Sequence, residues 1–277
     1  MPTLRRTRWH RRNRPAASGR TSGRTPSPAA RAPADQPLYG LQARGLSHAT
    51  EPDADIPWMA AHYVELIRKA YPQGPYLLGG FSSGGAVALE MAQQLHCAGQ
   101  RVELVAVIDT SPPSVKPAMG RLSPRFLARF LANLPRWLVH DLFNDDFLKV
   151  CRRVTGRLGS LCRSLFTRKP AGNGTTLNFN RVFGTSSLPD RRLRFIQTVY
   201  TGWRTYQAQP YPGRITLLRA RVLPLMCRLS DQFGWEEIAD DVDVFILPGT
   251  HATITAEKNA AGLAAALLNC IDRATGR

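Results

Sequence analysis

The segment Pro75-Tyr76-Leu77-Leu78-Gly79-Gly80-Phe81-Ser82-Ser83-Gly84-Gly85-Ala86-Val87-Ala88-Leu89-Glu90-Met91 constrains this chain more than any other. It reads as a short apolar strand, then Gly-x-Ser-x-Gly, then a helix of small residues. That order is the context of a nucleophile elbow, in which a serine is held in a sharp strand-to-helix turn. Gly80 and Gly84 are read as omitting Cβ atoms where strand and helix backbones approach each other. The hydroxyl of Ser82 would then stand at the carboxyl end of the strand. The N–H of Ser83, at the helix start, could face an oxyanion formed by attack on a carbonyl. Gly- and Ser-rich turns are common, so the motif carries weight through its flanking strand and helix.

The remaining pattern extends this unit into an α/β domain. Pro37 to Leu41 reads as a short strand. Met59, Tyr63, Leu66, Ile67 and Ala70 recur at the spacing of one apolar helix face. The helix after the elbow runs to about His96. Val102 to Ile108, Ile215 to Ala220 and Val242 to Leu247 read as buried strands, and Ala260 to Ile271 as a closing helix. Alternating strands and helices imply a mostly parallel sheet covered on both faces. Between about 111 and 210 the pattern becomes helical, with stripes over 126–138, 143–165 and 193–206. This stretch is expected to be a large helical lid inserted between two sheet strands.

Charge and cysteine usage exclude several classes. The chain has 277 residues and a net charge of +17. Residues 1–35 hold nine Arg and one Asp with few large apolar side chains, and are expected to be a disordered basic tail preceding a domain over 36–277. No aromatic interleaving or nucleic-acid motif accompanies the tail, so no specific nucleic-acid partner is expected. Residues 116–204 hold 17 Lys and Arg against four Asp. No run approaches the roughly 18 apolar residues of a membrane span, and no apolar stretch follows the Arg-rich start as in a secretory signal. The five cysteines lack CxxC spacing and read as reduced, mostly buried thiols of a cytoplasmic protein, with no metal site.

The partners of a reactive serine are sought by role. A base must be a histidine on a loop after a late strand. Val244 to Leu247 followed by Pro248-Gly249-Thr250-His251 supplies His251. His140, His62 and His96 fall on helical stretches, His10 in the tail and His48 on a loop. The acid has two candidates. Asp109 ends the strand Val105 to Ile108, and Asp231 lies on a loop after the Ile215 to Ala220 strand.

Several segments taken together carry a family resemblance. Gln36-Pro-Leu-Tyr-Gly-Leu-Gln-Ala-Arg-Gly45, Gly74-Pro-Tyr-Leu-Leu-Gly-Gly-Phe-Ser-Ser-Gly-Gly85, Tyr211-Pro-Gly-Arg-Ile-Thr-Leu-Leu-Arg-Ala220, Gly234-Trp235 and Pro248-Gly-Thr-His251 resemble the thioesterase domains of nonribosomal peptide and polyketide synthetases. The resemblance runs from about residue 35 to about 271. It implies an α/β-hydrolase core with a helical lid, and Asp109 matches the acid of that family. It also implies release of an acyl, peptidyl or polyketide chain from the phosphopantetheine of a carrier protein, through an acyl-Ser82 intermediate. No cofactor beyond that substrate-bearing arm is implied. The alternatives are a non-catalytic or truncated remnant, and a free-standing esterase of the same fold.

One departure accompanies the match. Family members open with a strand and a His-Pro-x-Gly-Gly-like loop that gives a second oxyanion N–H, and residues 1–34 show neither. Their Arg, Pro, Ala, Ser and Gly content resembles out-of-frame translation of a GC-rich gene. The expectation is an elbow strand without one sheet neighbour and without that donor.

Overall fold

The computed structural model describes residues 4–6, 37–46, 50–114, 131–135, 189–223 and 230–276. Two short strands, β1 (Leu4–Arg6) and β2 (Tyr39–Leu41), pair antiparallel in a sheet of their own. This places three ordered residues inside the stretch expected to be a disordered tail. A two-stranded ladder uses backbone groups alone, so an Arg-rich composition does not forbid it. The rest of that tail, 1–3 and 7–35, lies outside the described residues.

A second sheet carries the domain. It contains β3 (Tyr76–Phe81), β4 (Val102–Ile108), β5 (Tyr211–Ala220) and β6 (Ala239–Leu247), in the order β3-β4-β5-β6, every pair parallel. The inner strands are apolar runs broken only by Thr216 over their buried stretches: Leu104 to Ile108 and Ile215 to Leu218 are all buried. Such runs follow from burial on both faces of a parallel sheet. β6 is more exposed and carries Asp240, Asp241 and Asp243, of which Asp241 pairs with Arg214 at 2.7 Å. Charge on an outer strand discourages further pairing there. At the other end, β3 is hydrogen-bonded to β4 alone among the described residues.

Helices cover both faces. α1 (Ile56–Ala70) packs on α2 (Ser83–Cys97), and α2 packs on β3 and β4. The α1 stripe matches the sequence pattern at Met59 and Tyr63, which are buried. Leu66 and Ile67 are half-buried and Ala70 is exposed, so the stripe fades toward the helix end. On the opposite face, Leu263 and Cys270 of α4 (Glu257–Thr275) join Ile254 and the β4 residues Leu104, Ala106 and Ile108 in one core cluster. Even-numbered β4 side chains thus serve α4, and odd ones such as Val107 face α2.

Of the helical insertion, residues 131–135 and α3 (Asp190–Thr205) are described. α3 coincides with the apolar periodicity of 193–206. The stripe over 143–165 lies outside the described residues, as do 126–130 and 136–138 of the first one. The chain divides into two compact units, one of them formed by 121–193 and 222–227. Within that unit Asn133 exchanges two hydrogen bonds with the backbone of Leu223, at 2.9 and 3.3 Å. Cys270 is buried as expected, whereas Cys97, at the exposed end of α2, is not. No helix among the described residues is long and apolar enough to cross a membrane.

Candidate active site

The elbow forms where the sequence puts it. β3 ends at Phe81, α2 begins at Ser83, and Ser82 between them has φ 54° and ψ −129°. A non-glycine residue at positive φ is strained by roughly 1–3 kcal/mol and persists only where its surroundings over-determine it. Here the Ser82 N–H donates to Ile108 O at 3.0 Å, and its carbonyl accepts the Gly85 N–H at 2.9 Å. The strand and the helix each hold one end of the residue. Ser83 opens α2, so its N–H is among the first-turn donors that a helix leaves without an intrahelical partner.

The glycines divide the work differently from the sequence reading. A Cβ on Gly80 would collide with the carbonyl of Gly84, which confirms a close approach at that position. A Cβ on Gly84 would meet nothing within 4 Å. The second crowded position is Gly85, where a Cβ would lie 2.7 Å from Thr110 Cγ2 and 2.8 Å from Val107 Cγ1. The bare backbone of Gly85 therefore makes room for the loop that follows β4.

That loop carries Asp109, which is 7% exposed and has φ 50°. Its N–H donates to Leu218 O at 2.9 Å, and its Oδ1 accepts the Ala220 N–H at 2.6 Å. The carboxylate is thus fixed on β5 before any partner is considered. Its other oxygen, Oδ2, lies 2.9 Å from Nδ1 of His251, and the same Nδ1 is 2.9 Å from Asp109 O. Two oxygen acceptors at Nδ1 call for a proton there. In the neutral ring this leaves the Nε2 lone pair available.

His251 reaches this position through the turn after β6, where Gly249 adopts φ 108° and is packed against Asn259 Nδ2 and Thr253 Oγ1. Burial pulls the His251 pKa down, but the hydrogen bond and charge of Asp109 outweigh it, and the net shift is upward. Solvent at the half-exposed imidazole keeps that shift modest. The ring of Phe81 stacks on the imidazole, with centroids 4.9 Å apart and planes 25° from parallel. Phe81 precedes Ser82, so serine, histidine and aspartate belong to one neighbourhood.

Of the two acid candidates, Asp109 meets the histidine. Asp231 instead pairs with Nη1 of Arg219 at 3.3 Å and leaves 71% of its side chain exposed. His62 sits on α1 beside Asp53, 3.8 Å away, and His96 on the last turn of α2. His10, His48 and His140 lie outside the described residues. Sequence reasoning gave no role to Phe81, Thr110 or Trp235, although Gly234-Trp235 was noted as a motif. The indole of Trp235 is fully buried, and its N–H donates to Thr110 O at 2.7 Å. No spacing rule could have linked residues 125 positions apart.

Comparison with known proteins gives the family and the fold. The family model "Thioesterase domain" matches residues 27–169. Thioesterase pytI of Aspergillus terreus is 35% identical over 112 residues, 39% of this chain and 36% of that protein. Malpinin synthetase of Mortierella alpina is 49% identical over 76 residues, 27% of this chain and 1% of the synthetase. Polyketide synthase PksR of Bacillus subtilis is 43% identical over 75 residues, 27% of this chain and 3% of the synthase. The matches thus span a small part of the large synthetases. Among solved structures, the NocB thioesterase domain from the nocardicin cluster superposes with a TM-score of 0.52 at 23% identity. That superposition covers 88% of this chain and 84% of the other. A four-domain nonribosomal peptide synthetase bound to AMP and glycine gives a TM-score of 0.55 at 23% identity, over 87% of this chain and 17% of the synthetase. These likenesses establish the α/β-hydrolase fold.

Proposed function

The chain belongs to the thioesterase domain family, of the kind carried by nonribosomal peptide and polyketide synthetases, and from that premise we propose that it cleaves an acyl thioester through an acyl-Ser82 ester. The observation that carries this reading is the hydrogen bond of Asp109 to His251 beside a strained Ser82.

The reaction follows from the protonation states available. Neutral His251, protonated on Nδ1, takes the hydroxyl proton of Ser82 at Nε2 as Oγ bonds to the thioester carbonyl carbon. The developing oxyanion is met by the Ser83 N–H. The C–S bond then breaks and the leaving sulfur takes the proton from Nε2. Water attacks the resulting ester in the second half, giving its proton to Nε2. The C–Oγ bond breaks, Ser82 recovers that proton, and a carboxylic acid leaves. Asp109 stabilises the imidazolium in both halves without taking a proton itself. The reaction so written draws on no cofactor.

The substrate we assign is a chain on the phosphopantetheine arm of a carrier protein. Two facts support it: the relatives include multidomain synthetases, and residues 116–204 carry 17 basic against four acidic side chains. Such a charge favours a partner rich in carboxylates and phosphate. The test is a fluorophosphonate probe followed by peptide mapping, together with turnover of a carrier-loaded and a small free acyl thioester. Label on Ser82 and faster turnover of the carrier-loaded substrate are expected. A folded sample that takes no label would overturn the serine mechanism, and equal turnover of both substrates would overturn the carrier.

A further inference from the structure

The loop that carries Asp109 is held from two sides. On one side Thr110 packs against the bare backbone of Gly85 in α2. On the other, the fully buried indole of Trp235 donates its N–H to Thr110 O at 2.7 Å. Asp109 itself sits at φ 50°, a conformation a non-glycine residue keeps only under outside constraint. Its own bonds, to Leu218 O and from the Ala220 N–H, fix the residue on β5. They do not fix the residue that follows, Thr110, whose carbonyl is the one Trp235 holds.

The turn that presents Trp235 is built to hold an indole in one place. Phe233 has φ 58° and Gly234 φ 85°, two consecutive residues in the left-handed region that reverse the chain before Trp235. Gly234 N–H donates to Ser230 Oγ at 3.0 Å, and Trp235 N–H to Gln232 O at 3.1 Å. Arg219, buried at the end of β5, pairs with Asp231 and lies over the Phe233 ring, 5.6 Å from its centroid. The bracket is therefore anchored on the same strand that anchors Asp109.

We propose that Trp235 is a positioning residue for Asp109: by holding the Thr110 carbonyl it keeps the carboxylate aimed at His251. A tryptophan serving only as core would need its volume there and not its N–H. Buried Trp side chains do usually find a partner. What distinguishes this one is that its acceptor belongs to the residue adjoining the acid, in a strained segment. The inference rests on the assignment of Asp109 and His251 as acid and base, but it can be tested without turnover.

The test compares full-length wild type with Trp235→Phe, which keeps most of the ring volume and removes the donor. The His251 titration midpoint is read by NMR of histidine-labelled protein, assigned with His251→Gln, and Ser82 labelling by a fluorophosphonate is timed in parallel. In Trp235→Phe the His251 midpoint falls toward the ordinary value of about 6.5, and labelling slows about tenfold, the scale of one buried hydrogen bond lost. A variant with lowered Tm but an unmoved midpoint and labelling rate overturns the proposal, since packing alone would behave that way. If Trp235→Phe fails to fold, benzothienylalanine at 235 preserves the shape without the N–H, and the same readouts decide. Wild type that takes no label, with a midpoint that still falls in the variant, refutes the serine mechanism and upholds the positioning role.

Discussion

His251 meets Asp109 twice: its Nδ1 is 2.9 Å from the carboxylate Oδ2 and 2.9 Å from the backbone carbonyl of the same residue. The second carboxylate oxygen is already occupied by the Ala220 N–H. Rotation of the carboxylate is thereby restrained, and only one edge of the imidazole can satisfy both acceptors. Asp109→Asn presents an amide at this position and can offer an N–H where Nδ1 needs an acceptor. Thioester kcat/KM should fall by about 10³- to 10⁴-fold, the scale of losing the tautomer-setting acid of a triad. Steady-state kinetics on a small acyl thioester measures it.

The rival carboxylate gives the control. Asp231 is mostly exposed and paired with Arg219 at 3.3 Å. Exposed ion pairs contribute at most about 1 kcal/mol, so Asp231→Asn should leave kcat/KM within about fivefold of wild type. A loss comparable to that of Asp109→Asn would reverse the assignment of the acid.

The pH dependence follows from the sign of the His251 shift. Burial lowers its pKa, and the hydrogen bond and charge of Asp109 raise it further than burial lowers it. As a base it must be neutral, so kcat/KM should fall on acidification with a midpoint above about 6.5. The same raised value stabilises the fold fully below about pH 6.5 and ceases to do so as pH rises through the folded pKa. Wild type should therefore exceed Asp109→Asn in Tm by more at pH 6 than at pH 9. A margin that widens toward alkaline pH would contradict it.

The two glycines that flank Ser82 in the motif should respond in opposite ways. Gly80→Ala drives a methyl into the Gly84 carbonyl and should destabilise the protein by about 3 kcal/mol or more, since backbone must move. Gly84→Ala meets open space on a helix and should be neutral or stabilising by about 0.5–1 kcal/mol. Urea melts of the pair provide the comparison.

Phe81 covers one face of the imidazole, and a stacked pair contributes roughly 0.5–1.5 kcal/mol beyond burial. Phe81→Leu keeps apolar bulk and loses the stack. It should lower kcat/KM by about three- to tenfold while Phe81→Tyr retains it. Identical losses in both variants would assign Phe81 to substrate contact instead.

What could be read from the chain beforehand was whatever burial imposes locally. Val102 to Ile108 forms β4 residue for residue, because its buried stretch, Leu104 to Ile108, is covered on both faces and must be apolar. Ser82 was legible because its turn needs small neighbours within a few positions. Spacing leaves both Asp109 and Asp231 open as the acid, and the family resemblance points to Asp109. The pairing of β4 with β5 supplies the physical reason, since it brings the Asp109 carboxylate to the Ala220 N–H. β5 begins at Tyr211, four residues before its apolar run. Pro212 and Gly213 fall within this extension, where a register irregularity between Tyr211 and Arg214 accommodates them. The role of Gly85 and the contact of Trp235 depend on which surfaces meet across the sheet, and no local rule encodes that.

The strained Ser82 is tied to the sheet through a single bond, its N–H on Ile108 O, and β3 has β4 as its one neighbour among the described residues. Conformational strain is kept only as long as the ladder that imposes it stays closed. The nucleophile therefore inherits the lifetime of the β3–β4 pairing, and amide exchange at Ser82 is a clock for how often the serine relaxes out of its reactive geometry.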